Sequence, residues 1–158
     1  CLNADDAYLP GALKAVKELF DSVPESDIVY GNILVNGREV KPPEGIASFG
    51  GARIFHPAAF IRRSLFERIG YFDESYRICA DLDFFLRAKE AGAVFTYLDR
   101  PLTDFVLGGL STANRRRTIS ELREILLRHG YSQFFVFFYY QAMRLRAFSA
   151  SLFHKFRK

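Results

Sequence analysis

The chain of 158 residues contains no tryptophan, one methionine and two cysteines. Cys1 and Cys79 are too few for a disulfide framework, and nothing matches zinc-site spacing, so a reducing, cytosolic-type compartment is expected. The opening residues lack the basic-then-apolar pattern of a secretory signal. No apolar run reaches the roughly 18 residues that a spanning helix needs. The longest aromatic stretch, FFVFFYY at 134–140, is followed closely by Arg144 and Arg146. Internal repeats and low-complexity linkers are also missing. What is present is an apolar, aromatic chain: 49% hydrophobic, with 17 Phe and 8 Tyr, enough for a globular core.

Charge is divided along the chain. From Arg115 onward there are ten Lys/Arg against two Asp/Glu, whereas the preceding part has twelve against sixteen. The acidic part suits metal and sugar chemistry, and the basic part suits an anionic surface. A basic, aromatic tail also fits nucleic acid, but no binding module for it is visible and none is expected as a partner.

Local signals give a mixture of strands and helices, hence an α/β domain. Pro10 fits the first position of a helix that places Leu13, Val16 and Phe20 on one face. Asp27–Val35 reads as a strand, and Asn36-Gly37 as a two-residue hairpin turn into Arg38–Lys41. Pro42–Gly51 is a candidate lid or substrate loop. Arg53–Ile61 reads as extended. Ser64 with Glu67 forms a capping box for a short helix closed by Gly70. A helix is expected over Ala80–Ala91 and a strand over Ala93–Leu98. Asp99-Arg100-Pro101 reads as a turn before a further strand, Leu102–Val106. Thr118 and Glu121 form a second capping box, and helix is expected to continue beyond Gly130.

Three clusters could carry chemistry. Asp5 and Asp6 follow an apolar strand end, and paired carboxylates there could hold Mg²⁺ or Mn²⁺ against a phosphate. Acids just before Pro10 could equally cap the following helix. Asp81 and Asp83 lie two apart on a helix, so they point to different sides. Asp83 is spaced for a surface ion pair with Arg87, which leaves Asp81 at the helix start as a candidate general base or a cap. Gly108, Gly109 and Ser111 would permit close approach to a ligand, and a plain turn explains them as well. His56, before Pro57, reads as a cleft residue or a core histidine.

The segments LNADDAYLPGAL, DIVYGNILVNG, HPAAFIRRSLFERIGYFDESYRICADLDFFLR and DFVLGGLST follow one another in a telling order. Together they resemble the C-terminal part of family 2 glycosyltransferases, from about Leu2 to His129. The resemblance implies a GT-A mixed-sheet domain over 1–114, followed by a basic helical tail over 115–158. It implies inverting transfer of a sugar from a nucleotide-diphosphate donor to an acceptor hydroxyl, in polysaccharide or cell-envelope glycan synthesis. Asn3-Ala4-Asp5-Asp6 corresponds to the family's DXD-type motif. Asp6, and with it Asp5, would bind the divalent metal and the donor. Asp81 corresponds to the aspartate of the Glu-Asp motif, the expected base, with Ala80 in place of the Glu. His56, Gly108, Gly109 and Ser111 fall on acceptor or donor loops.

The donor-base pocket of that family lies before the DXD motif, so the chain is expected to be one half of an enzyme that is inactive by itself. A non-catalytic scaffold that keeps the fold is the other reading. An incomplete sheet edge is expected to favour self-association. The acceptor is expected to be a glycan or a lipid-linked molecule. Residues 131–158 read as an interfacial amphipathic segment for an anionic membrane surface, or as packing for the domain.

Overall fold

The computed structural model describes residues 2, 5–43, 54–106, 114–139 and 141. In chain order the elements are β1 (Ala7–Tyr8), α1 (Ala12–Ser22), β2 (Ile28–Val35), β3 (Arg38–Val40), a 3-10 turn (His56–Ala58), β4 (Ala59–Ile61), α2 (Arg63–Ile69), α3 (Ala80–Glu90), β5 (Phe95–Phe105) and α4 (Arg115–Arg128). The chain divides into two compact units, Cys1–Thr118 and Ile119–Lys158.

The first unit is built on a mixed sheet, ordered β1-β5-β2-β3, with β4 also paired to β2. β2 and β5 run parallel, and the other pairings are antiparallel. The expected mixed-sheet α/β architecture is therefore present. Asn36 and Gly37 both adopt positive φ (51° and 73°), the left-handed pair that a tight hairpin needs, and β3 folds back on β2 as the sequence indicates.

Alternation along β2 sends Val29 and Ile33 to one face, where Ala12 and Val16 of α1 pack with Ala58 and Leu102. Each Val, Ile or Leu side chain of this set taken from water contributes about 1.5–3 kcal/mol. α1 begins at Ala12, later than the sequence suggests, because Gly11 holds a left-handed conformation (φ 77°) that interrupts the path from Pro10. The buried stripe consequently uses Ala12 and Val16, and Leu13 is left exposed.

Two predicted strands are one. β5 passes straight through Asp99-Arg100-Pro101 by bulging, so Leu98 opposes Gly31, Pro101 opposes Asn32 and Thr103 opposes Ile33. A proline lacks the N–H that a regular ladder uses, and the bulge is where a strand tolerates it. Gly31 faces this irregularity. A β-carbon there would stand 2.7 Å from the Leu102 Cδ1 and 2.9 Å from the Arg100 carbonyl oxygen, so only glycine fits.

Neither predicted capping box operates. α2 starts from Arg62 with no side-chain cap, and α4 starts at Arg115, three residues before Thr118. Inside α4, Thr118 Oγ1 donates back to the Asn114 carbonyl oxygen at 3.2 Å. Gly70 closes α2 as expected, with φ 83°.

Aromatic rings fill the space between α2 and α3, where Phe84 meets Phe66 at 4.8 Å and Phe72 at 4.9 Å between centroids. Asp83 corrects a sequence expectation: it is fully buried, and its bond to Arg87 Nε (2.7 Å) is an interior pair, not a surface one. Arg87 also donates to the carbonyl oxygens of Ile69 and Tyr71, both at 2.8 Å, so it ties α3 to the end of α2.

In the second unit Gly130, with φ 77°, follows the end of α4, and residues 133–139 form another helix. Ser132 Oγ accepts the amide N–H of Phe135 at 3.1 Å at its start. Phe134, Phe137 and Phe138 are exposed. No helix among the described residues is long and apolar enough to cross a membrane.

Candidate functional site

His56 and Asp81, 25 positions apart, meet in space. His56 Nδ1 lies 3.1 Å from Asp81 Oδ2, with about a third of each side chain exposed (35% and 33%). His56 is thus a partly exposed residue paired with an acid, and Asp81 is not the N-cap of α3. The N-cap position belongs to Cys79, which makes no side-chain cap. Asp81 uses its other oxygen, Oδ1, to accept the amide N–H of Leu82 at 2.9 Å. It sits in the first turn of α3, where aligned peptide dipoles favour a negative charge.

The turn that carries His56 is rigid. Ala58 donates its N–H to the Phe55 carbonyl oxygen at 2.9 Å. Thr103, wholly buried in β5, donates its hydroxyl to the Pro57 carbonyl oxygen at 2.8 Å. The chain then enters β4, in register with β2 through Tyr30 opposite Ala59.

Asp6 is buried, and its Oδ1 accepts the amide N–H of Val106 at 3.1 Å, just beyond the end of β5. Asp5 beside it is exposed. Neither caps α1, whose N-cap is Gly11. The acids therefore stand just before β1 begins, beside the end of antiparallel β5. Asn3, Ala4, Gly108, Gly109, Ser111 and most of the loop 42–51 lie outside the described residues, as does the tail beyond 141.

The adjacent carboxylates of Asp5 and Asp6 are oxygen donors of the kind that hard divalent cations take. No group of three or more His, Cys, Asp or Glu among the described residues could hold a metal alone.

A groove of about 380 Å³ opens between α1, β4 and α2, lined by Tyr8, Phe20, Phe60, Ile61 and Phe66 among others. Partial burial there raises the Tyr8 phenol above its ordinary pKa. Tyr8 follows Asp6 by two residues, and Ala59, which also lines the groove, follows His56 by three.

One polar cluster has no signal in the sequence. Asn32, fully buried in β2, donates to Asp99 Oδ1 (3.1 Å) and to Glu39, and accepts the Tyr97 hydroxyl proton at 2.6 Å. Lys41 Nζ reaches Asp99 at 2.7 Å. Hydrogen bonds from Lys41, Asn32 and Tyr97 lower the Asp99 pKa from 3.8 to about 2. The bulge in β5 creates the cluster, because it swings Asp99 out over β2 and β3. It clamps the sheet and lies apart from the His56–Asp81 pair in the chain.

No known family profile matches the chain. Curated relatives do. The PGL/p-HBAD biosynthesis glycosyltransferases of Mycobacterium bovis (strain BCG / Pasteur 1173P2) and Mycobacterium tuberculosis (strain ATCC 25177 / H37Ra) are each 32% identical, over 70% of this chain and 45% of their own length. The chain thus spans about half the length of the curated relatives it matches. Over most of its own length, this chain is similar to curated glycosyltransferases.

Proposed function

We propose that the chain is the acceptor-side part of an inverting glycosyltransferase of family 2 with a GT-A fold, using a nucleotide-diphosphate sugar. The observation that carries this reading is the Asp81 carboxylate, held by His56 and by the Leu82 amide at the start of α3 and still a third exposed. A base must be fixed in place yet reachable by the proton it removes. Asp81 takes the proton of the acceptor hydroxyl as that oxygen bonds to the anomeric carbon. The carbon–oxygen bond to the diphosphate breaks on the opposite face, and its electron pair leaves with the nucleotide.

Asp6, assisted by Asp5, would hold a Mg²⁺ or Mn²⁺ ion, which supplies charge to offset that of the departing diphosphate. Buried Asp6 is fixed by Val106, so it presents a defined oxygen, while exposed Asp5 is free to adjust. The groove beside Tyr8 and Phe60 suits the apolar part of a lipid-linked acceptor. Exposed Phe134, Phe137 and Phe138, together with the basic residues of the tail, support contact with an anionic membrane surface on the cytoplasmic side.

The test is Asp81→Asn in the full-length protein. The amide is nearly isosteric and cannot take the proton, so kcat falls by about 10²–10⁴ with folding unchanged. Transfer at the wild-type rate would exclude Asp81 as the base and favour a scaffold. Co-sedimentation with phosphatidylserine vesicles at low salt checks the membrane contact, and no binding removes it.

A further inference from the structure

Among the described residues, His56, on the turn that leads into β4, reaches the candidate base Asp81 at 3.1 Å. We infer that His56 is a positioning residue of the transfer site: its Nδ1–H holds the Asp81 carboxylate in one rotamer, from a turn that Thr103 locks to the sheet. The inference rests on the reading of Asp81 as the proton acceptor, and it adds the group that aims it.

Three observations support it. First, the backbone on the His56 side is fixed. Its turn is closed by Ala58 and Phe55, its Pro57 carbonyl oxygen is held by fully buried Thr103, and its exit strand is in register with β2. Thr103 also opposes Tyr8 of β1, two residues from Asp6, so one residue connects the strand that follows the acids to the turn that carries His56. Second, the backbone on the Asp81 side is fixed as well. Arg87 binds Asp83 in the same helix and the Ile69 and Tyr71 carbonyl oxygens outside it. The 3.1 Å contact therefore spans two rigid supports, and a short carboxylate on a rigid helix can turn only about its own side-chain bonds.

Third, the two contacts of the Asp81 carboxylate among the described residues have a positional character. Leu82 N–H binds Oδ1 and His56 Nδ1 binds Oδ2, one partner for each oxygen. Donation to a carboxylate places the proton on Nδ1 whichever charge state the ring adopts. With each partner a third exposed, an ion pair of this type contributes little to stability. Its loss should then be visible in the rate far more than in the melting temperature, which is what separates aiming from support.

The experiment compares His56→Asn, His56→Gln and His56→Ala in the full-length protein. An asparagine amide nitrogen falls where Nδ1 stands, and a glutamine amide nitrogen falls where Nε2 stands. The expected result is a drop in kcat of about 10- to 100-fold for Ala and Gln, with KM for donor and acceptor and the melting temperature nearly unchanged. His56→Asn restores most of the rate. Thr103→Val, which keeps the shape and removes the hydroxyl, lowers kcat in the same direction. Wild-type kcat in His56→Ala, or His56→Asn no better than His56→Ala, overturns the proposal. The second outcome would instead assign the proton to His56 itself. A readout independent of activity is the ¹⁵N signature of the His56 ring, which should report protonated Nδ1 and change in Asp81→Asn. An unchanged ring spectrum also overturns the proposal. Should Asp81→Asn remain fully active while that spectrum changes, the hydrogen bond stands and the reading of Asp81 as base fails.

Discussion

Replacing Arg87 with methionine tests how α3 is held, and the structure sets the size of the effect. Asp83 is wholly buried, and its Oδ2 accepts Arg87 Nε at 2.7 Å. The two terminal nitrogens of the same guanidinium bind Ile69 and Tyr71 carbonyl oxygens, each at 2.8 Å. The side chain also passes over the Phe84 ring, 5.3 Å from its centroid. Methionine retains much of the packing but leaves a carboxylate buried without its counter-charge. Breaking a buried pair on one side costs about 3–5 kcal/mol. That is a large share of the roughly 5–15 kcal/mol by which domains are stable.

Urea denaturation followed by circular dichroism measures the loss. Arg87→Lys should fall between wild type and Arg87→Met, because one ammonium cannot match a planar fork that reaches three acceptors. The double variant Asp83→Leu/Arg87→Met removes both charges and should recover part of the stability, since the buried carboxylate that lost Arg87 is gone. A cost below about 1 kcal/mol for Arg87→Met would refute the reasoning, because that is the range of an exposed ion pair.

Three further outcomes are expected. Asp6→Asn should lower kcat/KM by roughly 100-fold or more and raise the Mn²⁺ concentration needed for half-maximal activity, while Asp5→Asn has the smaller effect; this is read by donor-dependent transfer in the full-length protein. Gly31→Ala should destabilise by about 1–3 kcal/mol, read by thermal melting, because its methyl group overlaps Leu102 and the Arg100 carbonyl. Asp99, whose pKa falls from 3.8 to about 2 in the folded chain, adds stability above the unfolded value that is lost as pH drops through that interval. An NMR titration of its carboxyl should show the low value, and Lys41→Met should move it upward; the exposed pair should also weaken in salt.

Much of the frame is legible in local chemistry. Asn36-Gly37 can hardly be anything but a tight turn, and the β-branched, apolar run at 28–35 forms the strand that it suggests. Local chemistry misleads where a tertiary partner decides. Asp99-Arg100-Pro101 has turn composition, yet β2 holds both flanks and the segment becomes a bulge. Ser64 and Thr118 stand in capping patterns, but α2 and α4 each start earlier, so those hydroxyls fall inside helices. Asp83 reads as a surface acid because nothing in its neighbourhood announces that Arg87 will turn inward to the end of α2.

The site shows the same division. Asp81 and the Asp5-Asp6 pair can be singled out from residue type and order. The partners that fix them cannot: Val106 comes to Asp6 through strand pairing, and His56 comes to Asp81 across 25 residues of chain. Thr103 is the least legible of all, since a threonine in a strand is ordinary and only its contact with Pro57 gives it a role.

The bulge in β5 has a consequence for how this protein can change length. Between the pairs Gly31–Leu98 and Ile33–Thr103, β2 advances two residues and β5 advances five. Three surplus residues, an odd number, reverse the parity of everything downstream. Removing one residue from 99–100 would turn Thr103 to the opposite side of the sheet and withdraw its hydroxyl from Pro57. Removing two would restore its side. The length of this segment therefore acts at a distance, on the Thr103 hydroxyl and through it on the turn that carries His56.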